Sequence, residues 1–82
     1  MKKSLFSEEY EALCTLLRQV REEAGISQNV LAKRLDVPQA WLSKVENGHR
    51  RLDVLELMRL CEEIGIAPEV FITRLQGILH TL

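Results

Sequence analysis

Most composition signals that announce a function are missing from this sequence. It has only two cysteines, Cys14 and Cys61, and two histidines, His49 and His80, with no histidine near a cysteine. That spacing offers no close set of ligands for a structural metal. Both cysteines fall on the apolar stripes of predicted helices, where reduced thiols act as small buried hydrophobes. No apolar run approaches the roughly 20 residues that a membrane span needs. The opening Met1-Lys2-Lys3-Ser4-Leu5-Phe6 leads into acidic Glu8 and Glu9 instead of the apolar core of a signal peptide, so a cytoplasmic protein without a membrane partner is expected. Nucleophile–base arrangements and phosphate-cradling loops are absent, and so short a helical chain has little room for a pocket. The expectation is therefore no enzyme, no cofactor and no small-molecule ligand.

What remains is an ordinary globular balance of 46% apolar and 28% charged residues in 82, enough for one small domain with a thin stability margin. The net charge is −1, which does not point to nucleic acid. Its distribution says more. From Ser27 to Arg51, Lys33, Arg34, Lys44, Arg50 and Arg51 outweigh Asp36 and Glu46 to leave +3, and the rest of the chain carries −4. Such an asymmetry suits a basic face toward phosphates and an acidic back.

The apolar pattern is helical throughout, with no strand-like alternation and no repeat. A first helix is predicted from Glu8 to Ala24, capped by Ser7, burying Leu13, Leu16, Leu17, Val20 and Ala24, and stopped by Gly25. A second, Gln28 to Leu35, is capped by Ser27. Asp36-Val37 makes a turn, and Pro38 suits the first position of a third helix ending near Asn47, before Gly48. Asp53 and Glu56 form a capping-box start for a fourth helix that buries Val54, Leu57, Leu60, Cys61 and Ile64 and stops at Gly65. A fifth begins near Pro68. One all-α domain over residues 1–82 is expected, with its core in 8–66 and a C-terminal helix over 68–80.

The stretch from Gln28 to Val45 meets a demanding set of requirements together. Two helices must cross steeply over a turn of a few residues. Ala32 is small enough for the crossing, Asp36 tolerates positive φ, and Leu31, Leu35, Val37, Leu42 and Val45 can share one core. The run from Leu17 to Gln28 with its Ser27-Gln28, then Leu31-Ala32, then Leu42-Ser43-Lys44-Val45-Glu46-Asn47-Gly48, resembles the Xre-like family of phage Cro and repressor proteins. The likeness continues through Arg50-Arg51-Leu52-Asp53 and Ile64-Gly65-Ile66. Asp36 replaces the family's usual glycine, and Leu52 stands where many members have proline.

The resemblance implies a five-helix repressor-like DNA-binding domain, of bacterial or phage type, with its helix-turn-helix at helices 2 and 3. The third helix would enter the major groove of double-stranded DNA. At matching positions Gln39 would pair with adenine, Ala40 would pack on a thymine methyl, Ser43 would face the bases, and Lys44 would reach guanine or a phosphate. Gln28, Asn47, Arg50 and Arg51 would contact the backbone, with His49 as an open case. Arg21 and Glu46 match a structural pair bridging helices 1 and 3, and Trp41 is expected to pack beside the core with partial exposure.

The last helix is too apolar for one face. Phe71, Leu75, Ile78 and Leu82 follow a four-three-four seam spacing, which suggests a homodimer through this helix, as in relatives. The alternative is that the strip folds back on its own first helix, against Tyr10 and Leu13. The function expected is transcriptional regulation, by repression at a near-palindromic operator. The competing reading is a protein-interaction module, such as an antitoxin-like partner, that keeps the fold without the DNA contact.

Overall fold

A computed structural model describes residues 7–82. They form five helices: α1 (Ser7–Glu23), α2 (Gln28–Leu35), α3 (Gln39–Glu46), α4 (Val54–Ile64) and α5 (Pro68–Leu79). Ser7, expected as a cap, is already helical.

Helix ends are built locally, as the turn residues require. Ser27 accepts the Val30 N–H, and Asp53 and Glu56 make the reciprocal capping box. Asp36 sits at φ 59°, ψ 47°, the left-handed conformation the α2–α3 turn demands. Its N–H donates to the Lys33 carbonyl at 3.1 Å while Val37 N–H donates to Ala32 at 3.0 Å, closing α2 in a Schellman motif. An aspartate can replace the family's glycine there because its short polar side chain tolerates this conformation. Two boundaries differ from expectation. Pro38 has extended backbone (ψ 148°) and caps α3 from outside, so the helix begins at Gln39 and ends at Glu46. The proline that does occupy the first turn is Pro68, in α5.

The core draws on all five helices: Leu16, Leu17 and Val20 from α1, Leu31 and Ala32 from α2, Leu42 and Val45 from α3, Leu57, Leu60, Cys61 and Ile64 from α4, and Phe71 from α5. Of the expected core residues, Ala24 and Val54 lie outside it, and Leu13, Leu35 and Val37 pack half-buried at its edge. Ala24, past the end of α1, is exposed. Val54 is 66% exposed, because the buried stripe of α4 starts at Leu57 and leaves the first turn uncovered. Both cysteines are free and buried, and burial pushes the Cys61 thiol up to about 11, which keeps it protonated and unreactive at neutral pH.

α5 lies against α1 and α4. Phe71 is fully buried, and Leu75 and Ile78 pack on the same core, so three of the four seam residues face their own chain. Arg74 adds a two-pronged hydrogen bond to Glu23 of α1, at 3.0 and 3.1 Å. The strip read as a dimer seam is thus largely the fold-back alternative. Val70 and Ile72 are the large apolar residues that α5 leaves exposed, and Leu82, beyond its end, is exposed as well.

This division predicts unequal mutational costs. Phe71→Ala should destabilise the chain by about 3–5 kcal/mol, whereas Val70→Ala should stay within about 0.5 kcal/mol. Urea midpoints measure both, and equal losses would mean that α5 docks by another face.

Candidate nucleic-acid interface

The α2–α3 unit crosses where Ala32 is small and buried, with Leu31, Leu42 and Val45 fully enclosed beneath it. The positions left outside on α3 are Gln39, Ala40, Ser43 and Lys44, followed by Asn47 at the helix end. Their spacing is that of one helical face. Gln39, Ala40, Lys44 and Asn47 are exposed and Ser43 is half-buried.

Behind this face lies a buried ion pair. The Arg21 guanidinium grips Glu46 with Nε to Oε2 at 2.6 Å and Nη2 to Oε1 at 3.0 Å, and its Nη1 donates to the Ile26 carbonyl at 2.8 Å. Arg21 and Glu46 are 8% and 3% exposed, so solvent barely screens them. Burial alone would raise the Glu46 carboxyl. The hydrogen bonds from Arg21 and Gln28, with the charges of Arg21 and Arg18, outweigh burial and hold it below its ordinary range. Hydrogen bonds to Glu46 then hold the surface. Gln28 Nε2 donates to Glu46 Oε1 at 2.9 Å, and Gln39 Nε2 donates to Gln28 Oε1 at 3.4 Å. The second bond is long, so it orients the Gln39 amide without locking it.

A residue the sequence reading passed over joins this network. Arg18, one turn before Arg21 on α1, donates from Nη2 to Asn47 Oδ1 at 3.1 Å, and its Nε lies 3.5 Å from Glu46 Oε1. Asn47 in turn donates to Ser43 Oγ at 3.4 Å. The signal was the three-residue spacing of Arg18 and Arg21, which puts both on one helix face.

The basic loop after α3 is arranged differently from expectation. Arg50, expected at a phosphate, is engaged within the chain while its side chain stays 39% exposed. It makes paired hydrogen bonds to Glu56 at 3.1 and 2.9 Å, donates to the Arg51 carbonyl, and lies 5.0 Å from the Trp41 ring centre. These contacts brace α3 against α4. Arg51 is exposed but stacks on the Tyr10 ring at 4.3 Å, while Tyr10 Oη accepts the Leu52 N–H at 3.0 Å. His49 is exposed. Trp41 is half-buried as expected and packs on the core. It also lines an open groove of about 300 Å³ with Leu35, Val37, Leu55, Glu56 and Arg59.

Of the expected residues, Gln28, Gln39, Ser43 and Asn47 are thus linked around Glu46, Ala40 and Lys44 share their face, and Arg50 and Arg51 are held against α4 and α1. Among the described residues, no helix is long and apolar enough to cross a membrane, and no three metal-ligating side chains come together.

Comparison with known proteins finds relatives for this arrangement. Residues 17–71 match a helix-turn-helix family profile. An Xre-family-like protein of Pseudomonas syringae pv. tomato has a structure similar at a TM-score of 0.85, with 43% identity over 93% of each chain. The HTH-type transcriptional regulator RamB of Mycobacterium tuberculosis is 36% identical over 55 residues, 67% of this chain and 12% of that protein. The regulator PrpR of the same organism is 34% identical over 55 residues, 67% of this chain and 11% of its own length. The chain therefore spans about an eighth of these regulators or less.

The depressed Glu46 carboxyl makes a pH prediction. As pH falls, the unfolded chain takes up its proton first, near the ordinary glutamate value of about 4.3. The contribution of the pair is therefore complete above that value and is lost as pH drops through the lower folded one. Glu46→Gln should cost about 3–5 kcal/mol at neutral pH, by leaving Arg21 buried and unpaired. It should also flatten the fall in urea midpoint between pH 5 and 3, with a residual slope from Glu23 and Glu56, which arginines also hold low. A variant profile parallel to the original would remove Glu46 as the responsible group.

Proposed function

Because the chain belongs to the Xre-like helix-turn-helix family, we propose that it is a DNA-binding transcriptional regulator, and specifically a repressor of a near-palindromic operator, acting as a homodimer. Regulators of this kind are not enzymes, and the reading invokes no cofactor. Its place of action is the cytoplasm, where a bacterial or phage operator lies.

The observation that carries the reading is the outward row Gln39, Ala40, Ser43 and Lys44 on a short helix whose inner side is bolted down by Arg21–Glu46. In a major groove that row meets base edges. Gln39 suits the donor–acceptor pair of adenine, Ala40 suits a thymine methyl, and Lys44 suits guanine O6 and N7 or a flanking phosphate. Gln28, at the N-terminus of α2, suits a phosphate, because the helix dipole and free N–H groups already favour an anion there. Asn47 and Arg51 remain at the edge for backbone contact. Arg50 would join them only by leaving Glu56. Two copies would place two such helices about 34 Å apart on one side of the duplex.

A second reading, a protein-interaction module, draws on the apolar side chains that α4 leaves outside: Val54, Leu55 and Met58 are 66%, 69% and 40% exposed. That surface is compatible with a partner, but such a module need not keep polar Gln39, Lys44 and Asn47 on the outer face of α3.

Selecting bound duplexes from a random pool tests the first reading. An enriched site with two half-sites about 10 base pairs apart is expected, bound by two chains in light scattering. Gln39→Ala and Lys44→Ala should each lose about 1–3 kcal/mol of affinity for that site, with unchanged helical circular dichroism. No enrichment and no salt-dependent duplex binding would favour the interaction module. One chain on a single half-site would remove the homodimer.

A further inference from the structure

We propose that Arg18, on α1, is a further DNA-contacting residue, which also positions Asn47 at the end of the recognition helix. This rests on the regulator reading above.

The geometry joins two roles in one side chain. One guanidinium N–H is directed to Asn47 Oδ1 at 3.1 Å, and Nε faces Glu46 Oε1 at 3.5 Å. The guanidinium carries five N–H donors in a planar fork, so most of them have no partner among these contacts. The side chain is 45% exposed, in contrast to the 9% of Arg21. Arg21 is enclosed, and each of its three nitrogens is bonded to Glu46 or to the Ile26 carbonyl. Arg18 is the arginine of the cluster that reaches solvent.

Charge points the same way. One carboxylate, Glu46, stands between two guanidinium groups, and its two closest bonds go to Arg21. The cluster therefore carries a net positive charge, and the exposed part of it is Arg18. The site is the C-terminal end of α3, the negative pole of its dipole, even though the Ser43, Lys44 and Val45 carbonyls already accept backbone N–H groups of the following turn. Left bare, that end would repel the phosphates that border the groove. Arg18, arriving from another helix, brings a positive charge to that end. Its bond to Asn47 also fixes which way the terminal amide points, and Asn47 passes the constraint to Ser43 at 3.4 Å. The contact is to the sugar-phosphate backbone, since Arg18 belongs to the flanking helix and not to the one in the groove.

The test compares the full chain with Arg18→Gln, Arg18→Lys, Asn47→Ala and the Arg18→Gln/Asn47→Ala double variant. Each is titrated with the selected duplex and with a random duplex across a salt series. Losing one phosphate contact should make the plot of log affinity against log salt shallower by about 0.9. Arg18→Gln should show that change on both duplexes, with the base preference intact. Arg18→Lys should restore the slope, because it returns the charge. The cost of Asn47→Ala should shrink in the Arg18→Gln background, because the two side chains act together. Thermal melts by circular dichroism establish that each variant is folded, as a half-exposed position permits. A wild-type slope in folded Arg18→Gln overturns the DNA contact. Additive costs for Arg18→Gln and Asn47→Ala overturn the positioning role. In both cases the regulator reading survives, whereas a wild-type chain that binds neither duplex overturns the regulator reading together with Arg18.

Discussion

The bond between Arg21 and Glu46 is the constraint on which the outward face depends. It joins α1 to the end of α3, and through Arg21 Nη1 it also holds the Ile26 carbonyl at the entry to α2. Taking two charges out of water is costly, and only paired geometry with further hydrogen bonds offsets it. Both conditions hold: the fork is two-pronged, and Gln28 supplies another donor to the same carboxylate. A buried pair adds little net stability. Its contribution is to fix an angle. α3 is only eight residues long, and a helix of that length has little intrinsic persistence. Its orientation is imposed from outside, by the ion pair at one end and the Leu42 and Val45 contacts along its inner side.

The same economy governs the surface charges. The stretch from Ser27 to Arg51 is locally basic, yet several of its cations are employed within the fold. Arg34 donates to the Glu63 carbonyl, Arg50 pairs with Glu56 under Trp41, and Arg51 stacks on Tyr10. Meanwhile Arg18, which lies outside that stretch, comes to the end of α3. A charge count along the chain therefore does not tell which cations the fold engages internally and which it brings to the end of α3. Arginine suits the bracing role because its planar fork meets carboxylates two at a time and its flat face stacks on rings.

α4 and α5 form the platform that holds this unit. α4 packs against α2 and α5, and α5 lies on α1 and α4, with Phe71 at the centre of the contact. The apolar residues of α5 exceed what the first helices could cover from sequence spacing alone, and the fold resolves that excess mostly inward. What stays outside is divided between α5 and the first turns of α4, where Val54, Leu55 and Met58 are exposed and Leu55 lines the Trp41 groove.

Local chemistry was legible in the chain itself. The helix starts at Ser27 and Asp53, the left-handed turn at Asp36 and the apolar stripes that become the core each depend on residues a few positions apart. Such interactions are decided by backbone sterics and helical period, so reading neighbours suffices. The outward row on α3 and the Arg21–Glu46 pair both came from family resemblance. What no local pattern could decide was the pairing of distant side chains. Whether Arg50 faces a phosphate or Glu56, whether the Phe71–Leu75–Ile78 strip turns outward or inward, and whether Arg18 reaches Asn47 depend on how helices pack across the molecule. Charge and hydrophobicity are properties of a residue, but a partner is a property of position in space, and only the packed fold sets that.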